Sequence, residues 1–409
     1  MREATRVRCW MVSVAITLLA VPSVGAVVWT VDDDGPADFA SIQAAINAAS
    51  GGDEIVVAPG RYRETLSFLG KAITVRSEQG PALTTVFLEG ETRIAQMDGD
   101  ATLRGFTITG GSARVGGGIR VTGGASVRIE DNIIENNVAN RGGTALALGG
   151  GIALELDSTA VITRNLIRNN EAIGDAQGLY AYGGAIDIGD DCTATITENV
   201  LVGNSATDSG GAISIGLAGL TVPIEIAHNT IVGNSAGVAG ATASFGGGTL
   251  SDADAEFAFR NNLVIDNSAE TSGGGVYFFS GGLQGITYLA NDFSGNVPDD
   301  CDGLTGPRCD DNQFFLVPLF FDAAAGDYRP RSDSPILDLG AAGGSSTTDF
   351  DGNPRVADGD YDGVAAPDIG AHENRGEPTR LRVTSNVTLA WDGSVNPSAV
   401  FDLSRDDLA

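Results

Sequence analysis

The chain has 409 residues, a formal net charge of −29 at pH 7 and a single lysine, Lys71. So acidic a surface repels phosphate backbones and anionic lipids, which excludes nucleic acids and negatively charged membranes as partners. It also leaves little of the cationic lining with which a groove binds polyuronates.

Residues 1–26 have the pattern of a secretion signal. Three arginines supply the positive start, residues 10–21 the apolar stretch, and residues 24–26 a small-residue cleavage site. The apolar stretch is too short to span a bilayer comfortably, and no later segment is long or apolar enough. We therefore expect an exported protein, extracellular or on the cell surface, without a transmembrane segment in the mature chain.

The apolar residues between Phe39 and Ala49 follow helical spacing. Ser41 can cap the N-terminal end of the helix, and the pair Gly51-Gly52 follows its C-terminal end. The sequence predicts a short amphipathic helix that covers the open N-terminal end of the repeats, since a terminal turn otherwise exposes strand edges and core.

Two asparagines five residues apart recur six times in the middle of the chain, with an apolar residue fixed between them. The first members are Asn132, Asn165, Asn199, Asn229, Asn262 and Asn291, and the second members are Asn137, Asn170, Asn204, Asn234, Asn267 and Asn296. The interval of 29 to 34 residues indicates a solenoid. Short period-two apolar runs and glycine clusters within each unit predict three strands per turn, which describes a right-handed parallel β-helix.

Equivalent asparagines of this β-helix would lie one above another, because stacked strands are about 4.8 Å apart. Their side-chain amides can then form hydrogen bonds along each column. We interpret both columns as structural.

The pattern divides the chain after the signal into three blocks. Residues 27–297 form the parallel β-helix with its N-terminal cap, and residues 298–374 form an irregular acidic region that closes the other end. In that region we predict a disulfide between Cys301 and Cys309, because exported chains meet an oxidising environment. Residues 375–409 are a linker and a tail of alternating apolar residues that resembles an incomplete fibronectin type III-like domain.

Two stretches resemble known proteins. Asp53–Tyr62, together with the repeats, resembles bacterial right-handed β-helix proteins with the pectin lyase-like fold. The ending of the choice-of-anchor Q group of such proteins is similar to four segments of this chain, namely Pro318–Phe321, Gly326–Tyr328, Asp349–Arg355 and Asp368–Glu373. The resemblance implies the fold, but the group contains polysaccharide lyases, glycosidases, epimerases and proteins without known activity.

The catalytic motifs of these enzymes are incomplete here. Lyases of this fold use a lysine or arginine as the base, and the arginines of the regular turns share no column in neighbouring turns. They are Arg120, Arg128, Arg164, Arg168 and Arg260. Asp190-Asp191 matches the paired aspartates of polygalacturonase-like hydrolases, but their Gly-His-Gly sequence and the Asp-Pro-His motif of mannuronan epimerases are missing.

The residues that precede the first asparagines form a further column. In order they are Asp131, Arg164, Glu198, His228, Asn261 and Ala290. Glu198 beside His228 is a candidate acid/base pair, in which the carboxylate would raise the pKa of the histidine. The alternative is a ladder of compensating surface charges.

The acidic region contains a calcium-loop pattern, because residues 358–363 match the D-x-D-x-D-G start of such a loop. The predicted ligands are Asp358, Asp360, Asp362 and Asp368, completed by Asp349 and Asp351. The calcium ion would be structural and hold the acidic region over the last turn. The alternative is a solvated acidic turn.

Taken together, the sequence favours a monomeric, exported surface or matrix protein without catalytic activity. Its long face would present a surface that binds an extracellular polysaccharide or another partner. The alternative is a polysaccharide lyase or glycoside hydrolase whose residues lie on the turns between Arg120 and Tyr277.

Overall fold

The computed structural model describes most of the chain after the predicted secretion signal. The described residues are 25–90, 92–140, 146–174, 180–216, 223–237, 244–251, 257–278, 287–303, 313–360, 362–375, 381–385 and 388–391. Residues 1–24, which hold most of the predicted signal, lie outside them. No helix in the described ranges is long and apolar enough to cross a membrane.

Stacked coils pair their equivalent strands in parallel and so build four sheets. The first sheet contains Val28–Val31, Glu54–Val57, Thr74–Ser77, Thr102–Arg104, Ser126–Glu130, Thr159–Thr163, Thr193–Thr197, Ile224–Ala227, Phe257–Arg260 and Thr287–Leu289. The second contains Gly60–Tyr62, Thr84–Phe87, Thr107–Thr109, Ile133–Glu135, Leu166–Arg168, Val200–Val202, Thr230–Val232, Leu263–Ile265 and Asp292–Ser294. The third contains Leu66–Ser67, Ala95–Met97, Ile119–Val121, Ile152–Leu154, Ile186–Ile188, Ile213–Ile215, Thr249–Ser251, Val276–Phe278 and Cys301–Gly303.

The fourth sheet is narrower and lies between the second and the third along each coil. Its strands are Ser112–Ala113, Val138–Asn140, Glu171–Ile173, Ser205–Ala206, Ser235–Ala236 and Ser268–Ala269. Three two-stranded sheets pair Ala147–Leu148 with Ala181–Tyr182, Phe320–Asp322 with Asp327–Pro330, and Leu381–Ser385 with Thr388–Trp391. A short 3₁₀ helix spans Ala323–Ala325.

The predicted N-terminal helix is confirmed and spans Ile42–Ala48. The Ser41 side chain caps it by accepting a hydrogen bond from the backbone N–H of Ala44 at 3.2 Å. Its apolar face is fully buried in the main core of the coils. The single lysine, Lys71, completes the other helix end, because its ammonium group donates to three carbonyl oxygens of the last turn.

Both asparagine columns form the predicted amide ladders. In the first ladder, Oδ1 of Asn199 accepts hydrogen bonds from the backbone N–H of Asn165 at 2.9 Å and from its Nδ2 at 3.0 Å. The Nδ2 of Asn199 also donates to the carbonyl of Ile162 at 2.8 Å. Because every rung repeats this pattern, the buried backbone of each corner is paired with the next coil.

Two other side chains end the ladders at the C-terminal side. Gln313 Oε1 accepts from the backbone N and Nδ2 of Asn291 at 3.1 and 3.0 Å. Asp300 Oδ1 does the same for Asn296, at 3.3 Å from the backbone N and 2.7 Å from Nδ2. The last coil is therefore left without orphaned amide donors at these two corners.

The acidic region lies only partly where the sequence predicts. Its first residues close the last coil, as Asp300 and Gln313 show, whereas much of the rest packs sideways against the outer face of the second sheet. Tyr328, Ile336 and Ile369 form a second hydrophobic cluster with outward-facing residues of that sheet, such as Val200 and Leu263. The reason is that these strands are apolar on both faces, so their outer face also has to be covered.

Two predictions concern the end of the chain. Leu381–Ser385 and Thr388–Trp391 form an antiparallel pair, and the fibronectin type III-like resemblance of the tail stays a prediction. Cys301 is disulfide-bonded, but its predicted partner Cys309 lies outside the described residues.

Replacing Asn199 by alanine would remove one rung from the middle of the first ladder. The backbone N–H of Asn165 and the carbonyl of Ile162 would lose their partners, and each such buried group costs about 1–3 kcal/mol. We expect the free energy of unfolding to fall by roughly 3 kcal/mol in denaturant titrations. Asn47→Ala, which removes an exposed amide from the helix, is the control and should cost under about 0.5 kcal/mol. Equal losses in the two variants would contradict the structural role of the ladder.

Candidate functional site

Outward-facing residues of the third sheet form the floor of a groove. In each strand the middle residue points outward, as Asp187 does between the fully buried Ile186 and Ile188. The strand register stacks Asp187, Ser214 and Leu250 in one column. The groove above this column has a volume of about 880 Å³.

One wall of the groove is aromatic and apolar. It is built from residues that directly precede the corner glycines of four successive coils, namely Leu148, Tyr182, Ser209 and Phe245, so a serine lies between the two aromatic residues. Tyr182 is held in place because its neighbour Ala181 packs in a layer of buried alanines beneath the wall. The ring of Phe245 lies 4.4 Å, between centroids, from that of Tyr277.

The opposite wall is acidic. It is built from residues that follow the same strands, including Glu155, Asp157, Asp190 and Asp191. Aromatic rings on one side and carboxylates on the other are the combination of apolar surface and polar groups that is typical of small-molecule and sugar sites. The geometry therefore marks this groove as the candidate functional site.

Asp187 on the groove floor has an unusual environment for a carboxyl group. Asp187 is only 3% exposed. Burial raises its pKa to about 8; the nearby Glu155 and Asp190 add to this effect, and a hydrogen bond with Ser214 opposes it. Burial therefore favours the protonated form of Asp187 at neutral pH.

Asp208 organises the aromatic wall. Its Oδ2 accepts a hydrogen bond from the backbone N–H of Tyr180 at 2.7 Å, and its Oδ1 accepts from the Ser209 hydroxyl at 2.9 Å. Burial raises the pKa of Tyr182, and the charge of Asp208 raises it further. The carboxylate thus keeps the Tyr182 phenol neutral and fixes the chain around it.

The sequence did not single out Asp187, Asp208, Tyr182 or Phe245. The signal for Tyr182, Asp187 and Phe245 lies in the repeat itself, because in these two coils the residue before the corner glycine and the middle residue of the following strand both line the groove. Asp190 and Asp191, noted as a paired-aspartate motif, do line it.

The five candidate arginines are each paired with a carboxylate. The pairs are Arg120 with Glu155, Arg128 with Glu130, Arg164 with Asp131, Arg168 with Glu135, and Arg260 with Glu225. A paired guanidinium is a poor proton acceptor, because the carboxylate stabilises its charged form. The structure therefore brings no candidate lyase base from this set into the groove.

The corner column that includes Glu198 and His228 is stacked as predicted, and all six members have a left-handed backbone with φ between 52° and 57°. However, the column is not a surface ladder of charges at its centre. Glu198 and His228 are 3% and 2% exposed, because the acidic region covers them. Thr163 donates to Glu198 at 3.0 Å, and Arg355 of the acidic region lies 3.8 Å from its Oε1.

The predicted rise in the pKa of His228 is wrong in direction. Burial lowers this pKa well below its usual value, and the charges of Arg355 and Arg260 lower it further. Its Nε2 is hydrogen-bonded to the amide of Asn261 at 2.9 Å. His228 is therefore a neutral ring inside the contact between the coils and the acidic region.

Two of the predicted calcium ligands, Asp358 and Asp360, come together with Asp338, which the sequence did not indicate. One carboxylate oxygen of each lies within 4.8 Å of the others. The Asp338 oxygens also accept from the backbone N–H groups of Gly359 and Ala366, both at 3.0 Å. Among the described residues, Asp358 Oδ1 is buried without a hydrogen-bond partner. Three converging carboxylates with an unsatisfied oxygen fit a hard cation such as Ca²⁺.

The other four predicted ligands lie outside this cluster. Backbone N–H groups occupy carboxylate oxygens of Asp349, Asp362 and Asp368. Asp351 faces the ring of His372 at 3.3 Å. Burial raises the pKa of Asp368 to about 8, and the neighbouring Glu373 adds to the shift.

Comparisons with known proteins agree with the fold. A family model described as a right-handed β-helix region matches residues 69–249. The crystal structure of the pectate lyase Pel9A is similar with a TM-score of 0.50 and 13% identity, over 86% of this chain and 97% of that chain. A pectin methylesterase from carrot has a TM-score of 0.35 and 13% identity, over 72% of this chain and 89% of that chain. No curated protein matches the sequence.

At this identity the likeness to the pectate lyase shows a shared fold and nothing about activity. The prediction of a right-handed parallel β-helix with the pectate lyase-like fold is confirmed. The TM-score of the esterase is too low to support any conclusion.

The environment of Asp187 predicts a pH-dependent cost to stability. In the unfolded chain this carboxyl ionises near 3.8, whereas in the folded protein its pKa is about 8. Between these values the folded state holds a proton that the unfolded state has lost, so the stability falls as the pH rises. Asp187→Asn should therefore melt a few degrees above the parent protein at pH 8, and the difference should disappear in acid.

The control is Glu89→Gln, because Glu89 is an exposed carboxylate outside the groove and away from Asp187. Thermal melts of the three proteins across the pH range measure the effect. If Asp187→Asn and the parent protein melt together at every pH, the carboxyl is not desolvated.

Proposed function

We propose that the protein is an exported β-helix protein that binds a polysaccharide in the groove over the third sheet and does not cleave it. The observation that carries this proposal is the groove itself, with Tyr182 and Phe245 on one wall and carboxylates on the other. Aromatic rings offer flat apolar surfaces to sugar rings, and carboxylates accept hydrogen bonds from hydroxyl groups.

The direction of the groove supports a polymeric ligand. Its floor runs across successive coils from Asp187 through Ser214 to Leu250, so equivalent positions recur at the spacing of neighbouring strands. The similar pectate lyase structure names a polysaccharide substrate, which adds a carbohydrate connection to the proposal. Localisation at the cell surface or in an extracellular matrix rests on the secretion-signal pattern of residues 1–26.

We further propose a relationship to the choice-of-anchor Q group of β-helix proteins. Its support is that two of the segments that carry the resemblance, Asp349–Arg355 and Asp368–Glu373, contact each other. Arg355 in the first segment donates hydrogen bonds to the carbonyl oxygens of Gly370 and Ala371 in the second, at 3.1 and 2.8 Å. This contact is expected if the two segments form one structural unit rather than two unrelated motifs.

A glycoside hydrolase is the second candidate function, and one observation favours it over a lyase. Asp187 keeps a proton near neutral pH beside the carboxylates Asp190 and Asp191. A protonated carboxyl with a nearby carboxylate is the arrangement that glycosidases use to protonate a leaving group. A lyase instead needs an available base, and the candidate arginines are paired.

The same proposal includes a structural calcium ion at Asp338, Asp358 and Asp360. The orphaned oxygen of Asp358 and the mutual repulsion of three carboxylates would both be relieved by a divalent cation. Asp338 would link the loop at residues 358–360 to the rest of the acidic region.

Binding assays on a panel of neutral and charged polysaccharides test the groove. Tyr182→Ala and Phe245→Ala should each weaken binding about tenfold, which corresponds to about 1.4 kcal/mol of lost contact. Phe321→Ala is the matched control, because this ring is 51% exposed and lies outside the groove. If binding is unchanged in both groove variants, the groove is not the binding site.

The same mixtures are assayed for new reducing ends and for the absorbance of unsaturated uronates. We expect neither product. New reducing ends that disappear in Asp187→Asn would establish the hydrolase instead, and unsaturated products would establish a lyase.

Calcium should raise the melting temperature. At a hundred times its dissociation constant, a single bound ion stabilises the folded state by about 2.7 kcal/mol. Asp358→Asn should abolish this response, whereas Asp362→Asn, four residues along and outside the cluster, should retain it. A melting temperature that does not change with calcium or chelator would show that the cluster is only an acidic turn.

A further inference from the structure

The charged residues that line the groove are all acidic. Its lining contains six carboxylates and no lysine, arginine or histidine among the described residues. The carboxylates belong to Glu155, Asp157, Asp187, Asp190, Asp191 and Asp208. Glu155 is neutralised by Arg120, whereas Asp157, Asp187, Asp190 and Asp191 have no ion pair in the described part of the chain.

The environment of Asp187 is a second, independent indication that the groove binds a cationic group. A carboxyl group that is 3% exposed normally has a basic partner or several backbone N–H donors. In the described part of the chain, Asp187 has a hydrogen bond with the Ser214 hydroxyl, which lies on the same face of the third sheet, and no basic partner. Its side chain borders the groove, so a ligand group in the groove can reach it.

We propose that the groove selects polysaccharides whose sugar units carry ammonium groups, that is, polymers of hexosamine with free amines. This inference rests on the proposed function, because it assumes that the groove binds a glycan. The ammonium group would lie over Asp187 and between Asp190 and Asp191, while the sugar ring packs against Tyr182 and Phe245.

Electrostatics separates this ligand class from the polyuronates. A uronate in the groove would place a carboxylate among like charges, and no guanidinium or ammonium in the lining would offset the repulsion. An ammonium group instead supplies the counter-charge that Asp187 lacks and donates up to three hydrogen bonds. Binding would also let Asp187 ionise, because a positive charge nearby favours the charged form of a carboxyl.

The test compares oligomers of glucosamine with oligomers of N-acetylglucosamine of the same length and linkage. Calorimetric titration of the full chain at pH 7 and low salt should give at least about tenfold tighter binding of the free amine, and added salt should weaken it. The double variant Asp190→Asn/Asp191→Asn should remove most of the preference, and Glu89→Gln, an exposed carboxylate outside the groove lining, should preserve it.

The outcomes separate this inference from the proposed function. Equal affinity for both oligomers, lost in Tyr182→Ala, would overturn the amine preference and leave the glycan-binding groove standing. Tighter binding of oligogalacturonate, with or without calcium, would also overturn it. If Tyr182→Ala and Phe245→Ala bind every oligomer as the parent protein does, the groove is not a glycan site and both proposals fail.

Discussion

Every feature of this protein depends on the requirement that each coil repeats the backbone of the coil before it. Strands in parallel register pair residue by residue, and the two asparagine ladders pair the corners between them. A corner that departed from this geometry would leave buried amide groups without partners on both sides. The left-handed backbone at the corner before the first ladder is consequently kept by six residues as different as arginine, histidine and alanine.

This constraint determines at which positions the side chain can differ from coil to coil. Inward positions must fill the core and ladder positions must be asparagine, which leaves the outward residue of each strand and the residues beside the corners. The groove is assembled from these free positions, with Asp187 in the middle of one strand and Tyr182 before the glycine that precedes it. Because register aligns them across coils, changes in single residues add up to one continuous surface.

Much of the fold could be predicted from the sequence, because its signals are local or periodic. The helix at Ile42–Ala48 and both ladders follow from spacing alone. The position of the acidic region could not be predicted from its own composition. The decisive signal lay elsewhere, in strands such as Val200–Val202 and Leu263–Ile265, which are apolar on both faces.

The candidate site was harder to predict, since it joins residues that are far apart in the chain. Asp187 was missed because its importance depends on facing outward over a groove, which requires the strand register. Asp338 joins Asp358 and Asp360 from about twenty residues upstream, and no motif connects them. The charge on His228 was misjudged because a segment more than a hundred residues later covers it.

The way the ladders end has a consequence for how such a chain can evolve in length. The side-chain oxygen of each asparagine accepts hydrogen bonds from the asparagine of the coil before it, and its own backbone N–H and Nδ2 donate to the asparagine of the coil after it. A duplicated repeat can therefore insert without disturbing its neighbours. Only the coil that meets Gln313 and Asp300 has to come last. Because the acidic region spans the second sheet from Leu166 to Ile265, a duplication within that span would separate its contacts. Gain or loss of whole coils before Leu166 therefore leaves this hydrophobic cluster intact.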